Sequence, residues 1–371
     1  MPSVTHFFKT YFPYTSGGME ESVRQCGAYA AARGFDVTVV SVGPVDETVT
    51  SSDGITTRFH KKSADFLSNP VSASFAGRFS DLCRNTDLLH FHFPWPTAEL
   101  LALARPLKKP ALVTFQCDIH RAPFLKTLYL PFVRRFLNRM DKICVSSRAL
   151  FKTTAYLAPF RHKIHQIPLF MNEHRFEGLA PPDHRLVERV ETLGPFALFT
   201  GVLRWYKGLD VLLDAARQIT GHVVIVGNGP LYDHLARRIQ NESLDRIHLL
   251  GFQPDRNLQW LIRQCRMVVL PSVTPAEAFG QILLEGLYFG KPLVSTNLGT
   301  GTSFVNRHKV TGLVVQPGCS RSLALAVNTL LENDCLAARF SRNTRRHYDI
   351  QFNPGVQGKK YMDLYHTLLR S

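Results

Sequence analysis

The feature that most constrains this chain is an alternation. Short apolar runs of about five residues are separated by longer stretches of helical periodicity, and the pattern runs through the chain twice. Such alternation builds parallel sheets covered by helices. Strands are read at 4–8, 37–42, 88–91, 111–115 and 142–146 in the first half. In the second half they are read at 196–200, 222–226, 247–250, 267–270, 292–295 and 312–315. Helices are expected at 18–33, stopped by Gly34, and at 208–218, 281–289 and 358–369. Residues 167–195 are rich in proline and polar residues and read as a hinge. The expected fold is α/β, with two doubly wound parallel-sheet domains facing across a cleft. The first spans 1–170 and the second 171–354. Residues 355–371, after the break at Asn353-Pro354-Gly355, form a helix packing back on the first domain. Ligands of such sheets bind beyond the carboxyl ends of the strands.

Composition removes several classes. Of 371 residues 45% are hydrophobic and 20% charged, which excludes a disordered or coiled-coil chain. No run reaches the roughly 18–20 apolar residues of a spanning helix. Residues 1–10 read as a strand rather than an export signal, so a cytoplasmic protein is expected. Seven scattered cysteines, none at C-x-x-C spacing, read as reduced thiols rather than a zinc site. The balance of 44 Lys and Arg against 29 Asp and Glu gives +15, which calls for an anionic partner.

The most informative segment is Pro275 to Glu285, directly after the strand ending at Leu270. Glu277 precedes a helix and Glu285 lies inside it, eight residues on, with Phe279-Gly280 between. The helix N-terminus offers free backbone N–H groups. One carboxylate can grip sugar hydroxyls and the other, two turns down, a ribose diol. Arg204 and Lys207 follow the first strand of the second half and can neutralise a diphosphate. Gly17-Gly18 opens a helix, where amides meet phosphate without a Cβ in the way. Gly227 and Gly229 read as turn residues first. Neither first strand–helix turn carries G-x-G-x-x-G, which argues against a dehydrogenase. No D-x-D pair occurs, so no metal cofactor is expected and the basic pair takes that role.

This Glu277-x7-Glu285 pattern resembles the donor-binding motif of the GT-B retaining glycosyltransferases of family 4. Gly201-Val202-Leu203-Arg204-Trp205-Tyr206-Lys207-Gly208, Val226-Gly227-Asn228-Gly229-Pro230, Leu250-Gly251-Phe252 and Ser16-Gly17-Gly18 resemble further landmarks of that family. The resemblance implies two Rossmann-like domains and an enzyme moving a hexosyl group with retention from a GDP- or UDP-linked sugar. It places Gly17, Gly18, Arg204, Lys207, Phe252, Phe279, Gly280, Gln281, Ile282 and Glu285 at the donor. Glu277, Gln116 and Asp118 are placed at the reacting centre.

Departures from the family pattern lie mostly in the first half. Gln116, in Thr114-Phe115-Gln116-Cys117-Asp118, stands where the family has histidine; it can hydrogen-bond a sugar but not exchange a proton. Val202 stands where many members have arginine, and Phe170-Met171 where glycine is common. His90 and His92 alternate on a strand; with no third ligand apparent they are assigned to the core or an acceptor pocket. His92, Trp95 and His120 are the acceptor-side candidates. The run His92-Phe93-Pro94-Trp95-Pro96 resembles bacterial enzymes building mannan or D-rhamnan O-polysaccharides, which implies a lipid-linked or polysaccharide acceptor.

From Arg121 to Lys142, two apolar columns (Phe124, Leu128, Phe132, Phe136, Met140 and Leu125, Tyr129, Val133, Leu137) are flanked by six basic residues against Asp141 alone. A basic amphipathic helix suits an anionic membrane surface, with Arg134, Arg135 and Arg139 as its contacts. The alternatives are a packed helix, a non-catalytic nucleotide-sugar or glycan binder, and a nucleotide-sugar epimerase. A nucleic-acid binder is disfavoured, because the basic excess lies beside aliphatic columns rather than stacking aromatics.

Overall fold

The computed structural model describes residues 1–15, 17–67, 69–118, 123–171 and 173–370, without the side chains of residues 123–126 and 174. Two compact units result: Met1–Phe170 with Pro354–Ser371, and Met171–Asn353.

The first unit contains β1 Ser3–Phe7, β2 Asp36–Gly43, β3 Glu47–Thr50, β4 Ile55–Lys61, β5 Ala64–Phe66, β6 Asn69–Val71, β7 Leu88–Phe93, β8 Ala111–Phe115, β9 Lys142–Val145 and β10 Ile164–Gln166. Eight of them form one sheet in the order β10-β9-β8-β7-β1-β2-β4-β3, and β5 pairs with β6 apart. All pairings in the large sheet are parallel except β3 with β4. The order reverses between β1 and β7, which makes that pair the switch point.

Strand alternation sorts the core. Phe7, Phe91, Phe93 and Phe115 face one side, with Phe75, Phe79, Val133 and Phe136. Val4, Phe8, Leu88 and Leu112 face the other, covered by the helix Gly18–Ala31 and the C-terminal helix Pro354–Arg370. Tyr361, Tyr365 and Leu368 of the latter are buried in this second cluster. The two helices cross closely: a Cβ on Gly358 would lie 2.6 Å from the Tyr29 ring. The C-terminal helix begins at Pro354, four residues before the expected start. Proline's fixed φ suits a first helical turn, so the Asn-Pro-Gly sequence starts the helix rather than preceding it.

The second unit contains β11 Phe196–Thr200, β12 His222–Val226, β13 Ile247–Leu249, β14 Met267–Leu270, β15 Leu293–Thr296 and β16 Gly312–Val315. Their order, β13-β12-β11-β14-β15-β16, is wholly parallel and reverses between β11 and β14. The segments after those two strands, carrying Arg204, Lys207, Glu277 and Glu285, therefore flank the switch point of this sheet. All seven cysteines are free.

Candidate functional site

In the second unit β11 leads into the basic loop. A single turn, Trp205–Lys207, ends at Gly208, and the helix Leu209–Ala216 follows. The neighbouring glycine turn braces this loop: a Cβ on Gly227 would stand 2.0 Å from the Gly201 carbonyl oxygen. Leu203 N–H donates to the Asn228 carbonyl at 2.9 Å, and Gly227 N–H to that of Gly251 at 2.8 Å. Gly227 and Gly229 are thus packing residues.

After β14 the chain passes through Ser272 and Glu277 to Gly280, which caps the helix Gln281–Tyr288 with φ 79°. Glu277 is buried and forms an ion pair with Lys207. Ser272 Oγ donates to the same carboxylate at 3.2 Å, and Thr300 Oγ1 to the Glu277 carbonyl at 2.8 Å. Burial disfavours the lysine's charge, yet the adjacent Glu277 carboxylate holds its pKa above the ordinary lysine value. A cation and an anion are thereby fixed beside the helix N-terminus, where backbone N–H groups favour negative charge. Arg204 is exposed on the same loop.

Glu285 lies on the buried face of the helix, and Arg175 Nη1 donates to its Oε1 at 3.0 Å. The same guanidinium donates through Nε to Asp255 at 3.0 Å. Arg175 thus locks a carboxylate 110 residues away. Sequence reading treated residues 167–195 as a hinge and missed it, because only the fold brings Arg175 to Glu285. The Gln281 amide nitrogen is buried and without a hydrogen-bond partner among the described residues, so it remains a donor for a ligand. The Phe279 and Ile282 side chains are buried, and only their backbone can meet a ligand. Phe252 is 75% exposed beyond β13.

In the first unit Gly17 caps the helix Gly18–Ala31 with extended backbone. The first turn already carries Glu20 and Glu21, and Thr10 Oγ1 donates to Glu20 at 2.8 Å. Those carboxylates compete with an incoming phosphate for this helix end. Gln116 follows β8 directly, and Asp118 accepts from the Tyr156 hydroxyl at 2.6 Å.

The proposed outward roles of His92 and Trp95 do not survive the structure. Both are buried, at 2% and 1% exposure. Trp95 stacks on Phe75 and donates from Nε1 to the Pro70 carbonyl at 3.3 Å, because the turn from β7 into the helix Pro96–Ala104 carries the indole into the core. His92 contacts His6 and Gln116 instead of solvent. The expectation that His90 and His92 lack a third partner is also corrected. His6, on β1 opposite His90, brings three imidazoles within 4.8 Å, a separation an ion could bridge. Their nitrogens are mostly committed, however: His90 bonds the Tyr365 and Thr114 hydroxyls, each at 2.7 Å. Among the described residues no carboxylate joins the cluster to offset a buried ion's charge. His120 and Arg121 lie outside the described residues.

In the helix Pro123–Arg139 the apolar columns divide. Val133, Phe136 and Leu137 are buried, while Leu128 and Phe132 are exposed. Arg134 and Arg135 are exposed. Arg139 instead donates to the carbonyls of Ala102 and Leu103, which end the preceding helix, and so belongs to the fold. No helix among the described residues is long and apolar enough to cross a membrane.

Comparison with known proteins agrees with this fold. Residues 16–175 match the family "Glycosyltransferase Family 4", and residues 184–347 match "Glycosyl transferases group 1". The chain is 35% identical over 370 residues to the O-antigen chain mannosyltransferase C of Escherichia coli, covering 99% of each. It is 36% identical to the D-rhamnosyltransferase WbpZ of Pseudomonas aeruginosa, over 93% of this chain and 91% of that protein. Among solved structures, the sucrose-phosphate synthase of Thermosynechococcus elongatus superimposes with a TM-score of 0.81 at 20% identity over the whole of both chains. The Anabaena protein HepE in complex with UDP-glucose does so with 0.78 at 18% identity, over 98% and 99%. These two show the shared fold. With the two sequence families spanning both units and relatives of this identity along the whole chain, the protein belongs to the group 1, family 4 glycosyltransferases of GT-B fold, which transfer a sugar from a nucleotide-diphosphate sugar to an acceptor.

Proposed function

We propose that this enzyme moves mannose or D-rhamnose, with retention, from a nucleotide-diphosphate sugar to a lipid-linked or polysaccharide acceptor in O-antigen synthesis. The sugar and pathway follow the relatives named for O-antigen mannosyl and D-rhamnosyl transfer. The observation that carries the donor assignment is the Lys207–Glu277 ion pair just ahead of the helix Gln281–Tyr288, with Glu285 in the second turn of that helix, at the switch point.

In this reading Glu285, held by Arg175, accepts from the ribose hydroxyls. Glu277 and the amides of Phe279 and Gly280 hold the sugar, with Gln281 and Ile282 beside it, and the backbone near Phe252 meets the base. As the bond to phosphate breaks, positive charge grows at the anomeric carbon and negative charge on the leaving diphosphate. Lys207 and Arg204 stabilise the latter. Gly17 and Gly18 offer amides to an anion only where it outcompetes the Glu20 and Glu21 carboxylates of the same turn. Gln116 and Asp118 serve the reacting centre as hydrogen-bonding groups, and no metal cofactor takes part. The exposed Leu128, Phe132, Arg134 and Arg135 support a peripheral seat on the inner face of an anionic membrane, where a lipid-linked acceptor would reside.

The test is transfer from a panel of GDP- and UDP-hexoses to membrane-extracted lipid-linked glycan, with the new anomeric centre read by NMR. One hexose of manno or rhamno configuration is expected, transferred without inversion and equally well in EDTA. Inversion, a gluco-configured product, or loss of activity in EDTA restored by magnesium contradicts the respective element of this reading.

A further inference from the structure

The buried histidines of the first unit form a directional chain that ends at the candidate reacting centre. His6, His90 and His92 lie on the same face of adjacent strands at the switch point. Gln116 Nε2 donates to His92 Nδ1 at 3.1 Å, and His92 Nε2 meets His6 Nδ1 at 2.9 Å. Both imidazoles are wholly buried, and burial lowers their pKa values, His6 to about 3, so both are neutral near pH 7.

A neutral imidazole donates from one nitrogen and accepts at the other. If His92 Nδ1 accepts from Gln116, its Nε2 carries the proton and donates to His6 Nδ1. His6 then carries its own proton on Nε2. Reversing the Gln116 amide requires both tautomers to reverse with it. The glutamine orientation and the two tautomers are therefore coupled and reverse only together, and His6 Nε2, buried and without a hydrogen-bond partner among the described residues, ends the chain. With the amide nitrogen on His92, Gln116 Oε1 is buried and has no hydrogen-bond partner among the described residues. Such an acceptor calls for a donor from a ligand.

We propose that His92, backed by His6, is a positioning residue that turns the Gln116 amide so that its carbonyl oxygen accepts from a sugar hydroxyl. The inference rests on the reading of Gln116 as a sugar-contacting group and adds what orients it. It also explains why a histidine pair sits inside the fold rather than at a surface: the pair acts through Gln116 and touches no substrate.

The test uses the full-length enzyme. Nitrogen-15 NMR should show His92 and His6 both protonated on Nε2. In hydrolysis of GDP-mannose, His92→Phe should lower kcat about ten-fold with GDP affinity unchanged, the effect of one lost orienting hydrogen bond. His92→Asn, which offers an acceptor near the Nδ1 position, should recover most of it. Gln116→Ala should cost as much as His92→Phe, and the double variant no more than either alone. Multiplying losses in the double variant, no recovery by asparagine, or a proton on His92 Nδ1 overturns the positioning role. If Gln116→Ala alone leaves turnover unchanged, the sugar-contact reading fails, while the tautomers still decide whether the chain orients Gln116. The NMR measurement stands on native protein even if His92→Phe does not fold.

Discussion

At the scale of single residues, the donor motif was legible because its members lie close in sequence. Glu277, Phe279-Gly280 and Glu285 fall within one strand-to-helix connection, so spacing alone places them on one loop and one helix. Arg175 and His6 were not legible in the same way. Their partners lie 110 and 86 residues away, and only the sheet order brings them together. Glu99 illustrates the same point. Its carboxyl accepts from the Trp95 amide at 2.6 Å and from the Tyr129 hydroxyl. Burial pushes it up to about 7, only partly offset by those hydrogen bonds. A carboxyl raised above its unfolded value stabilises the fold fully below about pH 4.5, and that contribution is lost as pH rises toward 7. Glu99→Gln should therefore be more stable than native protein at pH 8, by roughly 3 kcal/mol, and equal to it near pH 4.5. Urea unfolding at the two pH values checks this; a pH-independent difference would show an ordinary packing effect.

Among the elements, the apolar strands were read within one or two residues because buried parallel strands are nearly continuous runs of Val, Leu, Ile and Phe. The β3–β4 pair was missed. β3 is Glu-Thr-Val-Thr, mostly exposed at the sheet edge, so no apolar run marks it. The basic helix was half legible: the sequence identified its columns but not that the first of them is exposed at Leu128 and Phe132 and buried at Phe136 and Met140. Leu128 and Phe132 remain outside with Arg134 and Arg135, whereas Arg139 caps a neighbouring helix. Arg134→Gln with Arg135→Gln should release the protein from vesicles containing anionic lipid. Each Lys or Arg near such a surface is worth about 1 kcal/mol, screened by salt. Nucleotide affinity should not change. Continued sedimentation of the double variant with those vesicles at low salt would reduce this face to ordinary surface.

For the whole molecule, two sheets of doubly wound order were legible, since strand and helix alternate throughout. What the alternation did not reveal is the buried polar chemistry inside the first unit. His6, His90 and His92 have pKa values lowered by burial. Groups of this kind contribute stability that is full above about pH 6.5 and is lost as pH falls, because the unfolded chain takes up the protons. Three such groups outnumber the opposing Glu99, so the urea midpoint should fall between pH 7.5 and pH 5. A midpoint unchanged over that range would mean that the histidines are solvated and not part of the core.

The central claim is that the donor nucleotide rests on the helix Gln281–Tyr288, with Glu285 on its ribose and Lys207 at its diphosphate. Calorimetric titration of nucleoside diphosphates into native, Glu285→Ala and Lys207→Ala proteins tests it most directly. A ribose hydrogen bond to a carboxylate is worth about 1.5–3 kcal/mol, so Glu285→Ala should weaken binding of the preferred diphosphate roughly 10–100-fold. Lys207→Ala should weaken the diphosphate far more than the matching nucleoside. Native affinity in the Glu285→Ala protein, or equal losses for diphosphate and nucleoside in Lys207→Ala, would contradict the account.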